Sequence, residues 1–251
     1  MSIPSATIPE DAHWWFNTRT RGLLRLLDCY VAPGSARLVL DVGCGAGNMM
    51  HHLRRYGRVA GVDNYEKPLL VCVQRGYDPQ LAPAEALPYA DNSFGLVALL
   101  DVVEHCDDDL AVLRECYRVC APGGYLAVTV PAFQWLWTDN DTINGHRRRY
   151  TTGQLAGVLR AVGFVPRRIS CTFFLVFPLA AGLLVLRRLG GHRQKVAAPR
   201  RDDDACQVEM EPTHPALNAI LDGLGGVEAA LLSRIDLPVG TSIVSLAQKK
   251  G

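Results

Sequence analysis

The sequence predicts a doubly wound α/β fold built on a seven-stranded, mostly parallel sheet. Three observations predict it. From residue 37 onward, short apolar runs of strand length alternate with segments of helical spacing. The run Phe94–Leu100 is almost continuously apolar, as in parallel strands covered on both faces. The first apolar run also enters a glycine cluster, Gly43-Cys44-Gly45-Ala46-Gly47, which allows a tight turn from strand to helix.

In order along the chain, residues 12–30 carry Trp14, Trp15, Leu23, Leu24, Leu26, Leu27 and Tyr30 at amphipathic helical spacing, and Pro33-Gly34 ends that helix. Arg37–Val42 is the first strand, and a helix follows over about 47–55. The second strand, 59–62, ends at Asp63; a helix over 66–75 leads to a short strand at 78–82. After the fourth strand, Phe94–Leu100, a helix over 107–120 carries acids in its first turn, as the helix dipole favours. Pro122-Gly123-Gly124 then turns the chain into a fifth strand, 125–130. Residues 131–150 form a long polar and aromatic connection, and 151–162 a helix stopped by Gly163. A sixth strand covers 164–173 and the last covers 241–247. No internal repeat is visible.

Composition narrows the function. The chain has 251 residues, 49% of them apolar, which excludes a disordered chain and a small disulfide scaffold. A net charge of +1 gives no basic field for nucleic acid. The 8 cysteines include no C-x-x-C pair; Cys116 and Cys120, one helical turn apart, read as small half-buried hydrophobes. The first residues lack the layout of a secretion signal, so a cytoplasmic location is expected.

The glycine cluster sits where ligands bind in open α/β sheets, beyond the carboxyl ends of the strands. Asp63, closing the next strand, can accept hydrogen bonds from both hydroxyls of a ribose. A dinucleotide and S-adenosylmethionine both suit this geometry. The dinucleotide pattern G-x-G-x-x-G fails at its last position, which is Asn48. Asp41, just before the loop, would repel a pyrophosphate. It suits the ammonium of S-adenosylmethionine, directly or through a water, so charge favours the cationic cofactor.

The chain resembles the class I S-adenosylmethionine-dependent methyltransferases in LDVGCGAGN (40–48), GVD (61–63), AEALPYADNSFGLV (84–97), DVVEH (101–105) and LRECYRVCAPGGYLAVTVP (113–131). The resemblance implies a Rossmann-like sheet whose last strand runs antiparallel beside the fifth. It also implies that Asp41, Gly43 and Gly45, with Cys44 between them, border the methionine part of the cofactor. Asp63 then takes the ribose, Asn64 lies near the adenine, Ala84 and Glu85 flank the adenine ring, and Asp101 faces the methionine end. Two positions depart from the family. Pro83 and Gly95 stand where aspartates are common; the first removes a side-chain contact to the adenine amino group.

Methyl transfer from a sulfonium is an in-line displacement that needs alignment above all, with a base where the acceptor must lose a proton. His105, just past the fourth strand, is the first candidate base; His146 and Tyr150 are further catalytic candidates. His105 paired with Glu104 as a purely structural element is the competing reading. Residues 131–150 also hold Phe133, Trp135, Trp137, Asp139, Asp141 and the run Arg147-Arg148-Arg149. They suit a substrate wall, with Trp137 for an apolar body and Arg147 for an anionic group. Equally, the arginines pair with Asp139 or Asp141. HWWF (13–16) and GHRRRYT (145–151) resemble a bacterial methyltransferase subgroup, and His13 and Trp14 are candidates for an N-terminal lid over the acceptor. No metal ligands are assigned.

Residues 171–186 contain no charge, and Arg187, Arg188, Arg193, Lys195, Arg200 and Arg201 follow with no acid among them. At 16 residues, with Pro178 and Gly182 inside it, the segment is short for a spanning helix, which is the least favoured of three readings. The favoured reading is the sixth strand followed by a helix buried in a lid or a homodimer interface; peripheral membrane contact is the alternative. Residues 190–212 read as a mobile, charge-segregated linker, and 214–235 as a further helix. The division expected is an N-terminal helix or lid (1–36), a methyltransferase core (37–173 and 237–251) and a helical insert (174–236). The function expected is methylation of a small, partly apolar acceptor, lipid-like or a natural product, with S-adenosyl-L-methionine as cofactor. A nicotinamide-dependent oxidoreductase and a non-catalytic binding or membrane-surface protein are the alternatives.

Overall fold

The computed structural model describes residues 9–190 and 213–251. Seven strands form one sheet in the order β3-β2-β1-β4-β5-β7-β6. They are β1 (Arg37–Val42), β2 (Gly57–Asp63), β3 (Gln80–Leu81), β4 (Phe94–Leu100), β5 (Cys120–Pro131), β6 (Phe164–Thr172) and β7 (Ser242–Lys249). The first five run parallel, and β7 is antiparallel to both β5 and β6. The expected fold class and the antiparallel last strand are both observed. The order reverses direction at β1 and β4, so their carboxyl ends open the crevice where such sheets take ligands.

The strand β5 begins earlier than its apolar run suggests. Cys120 pairs with Phe94, then the register slips and Tyr125 pairs with Leu96, so residues 121–124 loop out of a continuing strand.

Among the described residues eight α-helices surround the sheet: α1 (Trp14–Asp28), α2 (Asn48–Leu53), α3 (Glu66–Gln74), α4 (Asp109–Val119), α5 (Asp139–Ile143), α6 (Thr152–Val162), α7 (Phe177–Leu189) and α8 (Pro215–Leu232). Alternation along the strands divides the core in two. Leu40, Val42, Val97 and Leu99 pack on one face with Leu113 and Leu159. Val39, Leu96, Ala98 and Leu100 pack on the other with Leu23, Leu26 and Leu27 of α1. Burying each of those α1 leucines stabilises the fold by about 1.5–3 kcal/mol. The C-terminal half of α1 therefore belongs to the core, while its N-terminal turns extend toward the crevice.

Among the described residues two helices lie between β6 and β7, and α7 is not buried within the chain. Leu184 is its one buried residue, and Leu179, Leu183, Leu186 and Leu189 are exposed. α8 packs along α1: Asn218 Oδ1 accepts from the Trp14 amide at 2.9 Å, and Asn17 donates to Asp222 at 2.9 Å. Among the described residues α8 is the one helix long and apolar enough to cross a membrane. Its buried Glu228 accepts hydrogen bonds from the amides of Phe173 and Leu175 instead, tying it to the end of β6. The segment read as a charge-segregated linker lies almost wholly outside the described residues.

Candidate active site

The crevice begins at the glycine loop. Gly43, Gly45 and Gly47 all have positive φ. At Gly43 a β-carbon would stand 2.3 Å from Val102 Cγ2, whereas at Gly45 it would meet nothing within 4 Å. Gly43 thus lets the loop close on β4, and Gly45 leaves an open approach to the main chain.

Two carboxylates flank the loop. Asp63 is buried; its Oδ2 accepts the Gly45 amide at 2.8 Å and its Oδ1 the Tyr65 amide at 2.9 Å. Each oxygen keeps a second lone pair, so Asp63 can hold the loop and still accept from a ribose. Burial pushes its pKa up, and hydrogen bonds from Tyr65, Gly45 and Asn64 oppose the rise. Asp41 is 2% exposed, and its Oδ2 has no hydrogen-bond partner. Burial pushes its pKa up to about 7; Arg19 pulls it down and Asp63 adds to the rise. A buried carboxylate oxygen left unpaired costs free energy that an arriving ammonium would offset. The pocket therefore fits the cationic cofactor better than a diphosphate. Asn64 and Glu85 are exposed and Ala84 is half-buried, in loops beside the ends of β2 and β3, which agrees with an adenine edge open to solvent. Cys44 is buried, its amide bonded to the Val62 carbonyl at 3.0 Å.

Asp101 follows β4 with φ of 56°, an uncommon backbone state for a non-glycine residue. Thr129 donates to its Oδ1 at 2.9 Å, and Arg19 of α1 forms an ion pair with its Oδ2. Arg19 also lies 5.3 Å from the Trp15 ring centroid, and Trp15 stacks on Phe173. Arg19 carried no sequence signal: an arginine on an amphipathic helix reads as a solvated residue.

The DVVEH and GHRRRY segments meet here, and the arginines explain how. The Arg147 amide donates to the Glu104 carbonyl at 2.8 Å, and its side chain donates to the His105 carbonyl and pairs with Asp107. Arg148 donates to the carbonyls of Cys106 and Asp107 and pairs with Asp109. Arg149 holds both oxygens of buried Asp141 at 2.8 Å. Arg147 and Arg148 stitch one loop to the other, and Arg149 pairs within its own segment; of the three, Arg149 alone makes the expected pairing with Asp141. The Tyr150 hydroxyl donates to Asp109 at 2.9 Å and is buried, which engages it in holding α4 to this loop. Burial, followed by the Asp109 charge, pushes the Tyr150 phenol well above its ordinary pKa.

His105 and His146 come together edge to face, with ring centroids 4.7 Å apart. His105 is exposed. Glu104, 1% exposed, lies beneath them with an unpartnered Oε2. Burial and the neighbouring Asp101 charge push its carboxyl far above the ordinary range. Ligand atoms of Glu104, His105 and His146 all lie within 4.8 Å of one another.

The candidate substrate residues are spread around this mouth. His13 caps α1 and contacts Thr213 at 3.1 Å, and the Trp14 ring meets the edge of Phe173. Trp137 donates to Thr142, and its carbonyl accepts from Arg188 of α7. Phe133, Trp135 and Phe177 form an aromatic group linking this loop to α7. A separate recess lined by Leu38, Arg54, Arg58 and Tyr77 borders the opposite ends of β1 and β4, away from these groups.

Residues 40–128 match the family described as methyltransferase domain. Within that stretch the chain is similar to class I methyltransferase domains. Among curated relatives, the ubiquinone biosynthesis O-methyltransferase of Pseudomonas entomophila is 35% identical over 98 residues, 36% of this chain and 42% of the relative. That of Thiobacillus denitrificans is 33% identical over 138 residues, 48% of this chain and 59% of the relative. The chain thus spans about half the length of the curated relatives it matches. The likeness includes the glycine loop and Asp63; most of the wall carrying His146 and Trp137 lies beyond the family match.

Solved structures extend the likeness of fold to the methyltransferase domain's surroundings. An S-adenosylmethionine-dependent methyltransferase from Mesorhizobium loti superposes with a TM-score of 0.58 at 15% identity, covering 91% of this chain and 98% of that one. The cyclase SpnF superposes with a TM-score of 0.58 at 21% identity, covering 94% of this chain and 83% of that one. At these identities the likeness is one of fold, and a fold hosts more than one chemistry.

Proposed function

We propose that this chain is an S-adenosylmethionine-dependent methyltransferase acting on an oxygen of a small, partly apolar acceptor. The observation that carries the reading is the unpartnered, buried Asp41 oxygen beside the open Gly45 backbone, with Asp63 at the next strand end. This arrangement offers negative charge to a cationic ligand and a carboxylate to a ribose. S-adenosylmethionine, when bound, supplies a methyl group on an already activated sulfur. Asp41 then binds and orients the amino-acid end, Asp63 fixes the ribose, and Arg19 keeps the remaining acid, Asp101, neutralised. His105, exposed at the mouth, holds or accepts the proton that an acceptor hydroxyl must release.

The apolar part of the acceptor is supported by the aromatic group of Phe133, Trp135 and Phe177 beside the mouth. An oxygen acceptor is supported by the names of the relatives, which are O-methyltransferases of ubiquinone biosynthesis. Calorimetric titration with S-adenosylhomocysteine and with a nicotinamide dinucleotide tests the pocket; binding of the first alone is expected. A panel of phenols and hydroxylated amphiphiles, assayed for S-adenosylhomocysteine release and methylated product, tests the reaction. Tight cofactor binding with no methylated product would favour a different chemistry on the same fold.

A further inference from the structure

We propose that Glu104, His105 and His146 form a binding site for a divalent first-row transition-metal ion at the edge of the crevice. The inference rests on the methyl-transfer reading only for what the ion would do, and departs from the sequence expectation that no metal is held.

The geometry comes first. One ligand atom from each residue lies within 4.8 Å of the other two. A tetrahedral ion with bonds of about 2.0–2.2 Å holds its ligands about 3.4 Å apart. Of the three residues His105 is the exposed one, so closing that difference falls to a side chain outside the core.

Two further observations point to an ion. Glu104 is 1% exposed and its Oε2 has no partner among the described residues. A buried carboxylate placed against two imidazoles is satisfied by a cation that all three bind. His146 is also oriented as a metal-ligating histidine is. Its Nδ1 lies 2.9 Å from Asp141 Oδ1. Asp141 also accepts from the Thr138 amide at 2.7 Å and from Arg149 at 2.8 Å, which marks it as an ionised carboxylate. An ionised carboxylate only accepts, so Nδ1 must be the donor, and the neutral ring carries its lone pair on Nε2. A carboxylate fixing the tautomer of a ligating histidine is the usual support of such a site.

The donor set selects the ion. Two imidazole nitrogens and one carboxylate suit zinc, cobalt or iron(II), whereas magnesium and calcium prefer oxygen alone. Three protein ligands leave a position open. With the ion bound, His105 is a ligand in place of the proton acceptor read above, and an acceptor hydroxyl at the open position would release its proton to solvent; its oxygen would then form the bond to the methyl carbon as the carbon–sulfur bond breaks, leaving a neutral thioether. The acceptor class this implies is one that presents an ionisable oxygen, a phenol or enol.

The test uses the full chain after chelator dialysis. Cobalt(II) is titrated and followed by its visible absorption, zinc(II) by calorimetry, and S-adenosylhomocysteine binding is measured on the same preparations. One equivalent of cobalt per chain is expected, displaced by zinc and not by magnesium. Glu104→Gln and His105→Ala should each weaken binding at least about tenfold, and Asp141→Asn by about 10–100-fold. Retained S-adenosylhomocysteine binding certifies that each variant is folded, and His105→Ala removes an exposed side chain. Wild-type protein that takes up no stoichiometric metal overturns the proposal, as does uptake unchanged in both Glu104→Gln and His105→Ala. If S-adenosylhomocysteine binds and metal does not, the metal site falls and the methyltransferase reading stands. If metal binds and S-adenosylhomocysteine does not, the metal site stands and the methyltransferase reading falls.

Discussion

Arg19 on α1 reaches across the crevice to form an ion pair with Asp101 just past the end of β4. This places one cation among four acids, since Arg19 also acts electrostatically on Asp41 and Glu104, and Asp63 adjoins Asp41. S-adenosylmethionine carries a positive sulfur and S-adenosylhomocysteine a neutral one, so Arg19 opposes the first more than the second. Arg19→Met, which keeps much of the packing on Trp15, should shift the ratio of the two affinities toward S-adenosylmethionine by about 1 kcal/mol, roughly fivefold. Calorimetry with both ligands reads the ratio directly, and a ratio equal to that of the wild type would remove Arg19 from the electrostatics of the pocket.

Asp63 holds the Gly45 amide, and the proposed function gives it the cofactor ribose as well. On that reading Asp63→Ala removes the ribose acceptor and also frees the Gly45 amide. Cofactor affinity should fall by about 1–3 kcal/mol. Asp63→Asn, which can still accept from Gly45 through its carbonyl, should lose less. Equal affinity in all three proteins would rule out the ribose contact.

The raised pKa of Asp41, about 7, predicts a pH dependence of binding. The ionised form binds the ammonium, and the protonated form dominates the free protein below pH 7. Affinity for S-adenosylmethionine should therefore fall about tenfold from pH 8 to pH 6, with proton release on binding below the pKa. Titrations in buffers of different ionisation enthalpy measure that release. Asp41→Asn should flatten the profile; a profile that keeps its slope would assign the titration to another group.

Much of this was legible in the sequence because it is local. Alternating apolar runs give the strands, and Asp41 and Asp63 are placed by their position at strand ends next to the glycine loop. What was not legible depends on pairing over long separations. The early start of β5 arises from the Cys120–Phe94 register, which no local pattern encodes. Arg19 meets Asp101 across 82 positions. Arg147 and Arg148 suit a ligand-binding cluster until the carbonyls of residues 105–107 are seen to occupy them, and Arg149 until Asp141 is seen to hold it. The exposure of α7 also depends on what the rest of the chain leaves uncovered, which apolar composition alone does not reveal.

His105 is exposed at the mouth, and its substitution should separate chemistry from binding. His105→Ala should leave S-adenosylhomocysteine affinity within twofold of wild type, roughly, and slow turnover by about 10²-fold or more. The effect belongs in kcat, because the proposed ammonium and ribose contacts, Asp41 and Asp63, lie on β1 and β2. Full activity in the variant would exclude both proton transfer and any metal-held acceptor at this side chain.

Asp141 organises the wall that carries His146. It is 1% exposed and binds Arg149, His146 and the Thr138 amide. Burial pushes its carboxyl up, but those hydrogen bonds outweigh it and hold the group well below its ordinary value of 3.8. A depressed folded-state pKa stabilises the protein fully above the unfolded value and loses that stabilisation as the pH falls toward the folded one. Asp141→Asn strands the Arg149 guanidinium, which is only 13% exposed, so unfolding free energy at pH 7 should drop by about 3–5 kcal/mol. The gap between wild type and variant should narrow between pH 5 and pH 3, as the wild-type carboxylate begins to lose its advantage over the unfolded chain. Urea unfolding at both pH values measures it. A gap of the same size at each would mean that Asp141 acts through shape and neutral hydrogen bonding, and that its charge does not hold His146 in place.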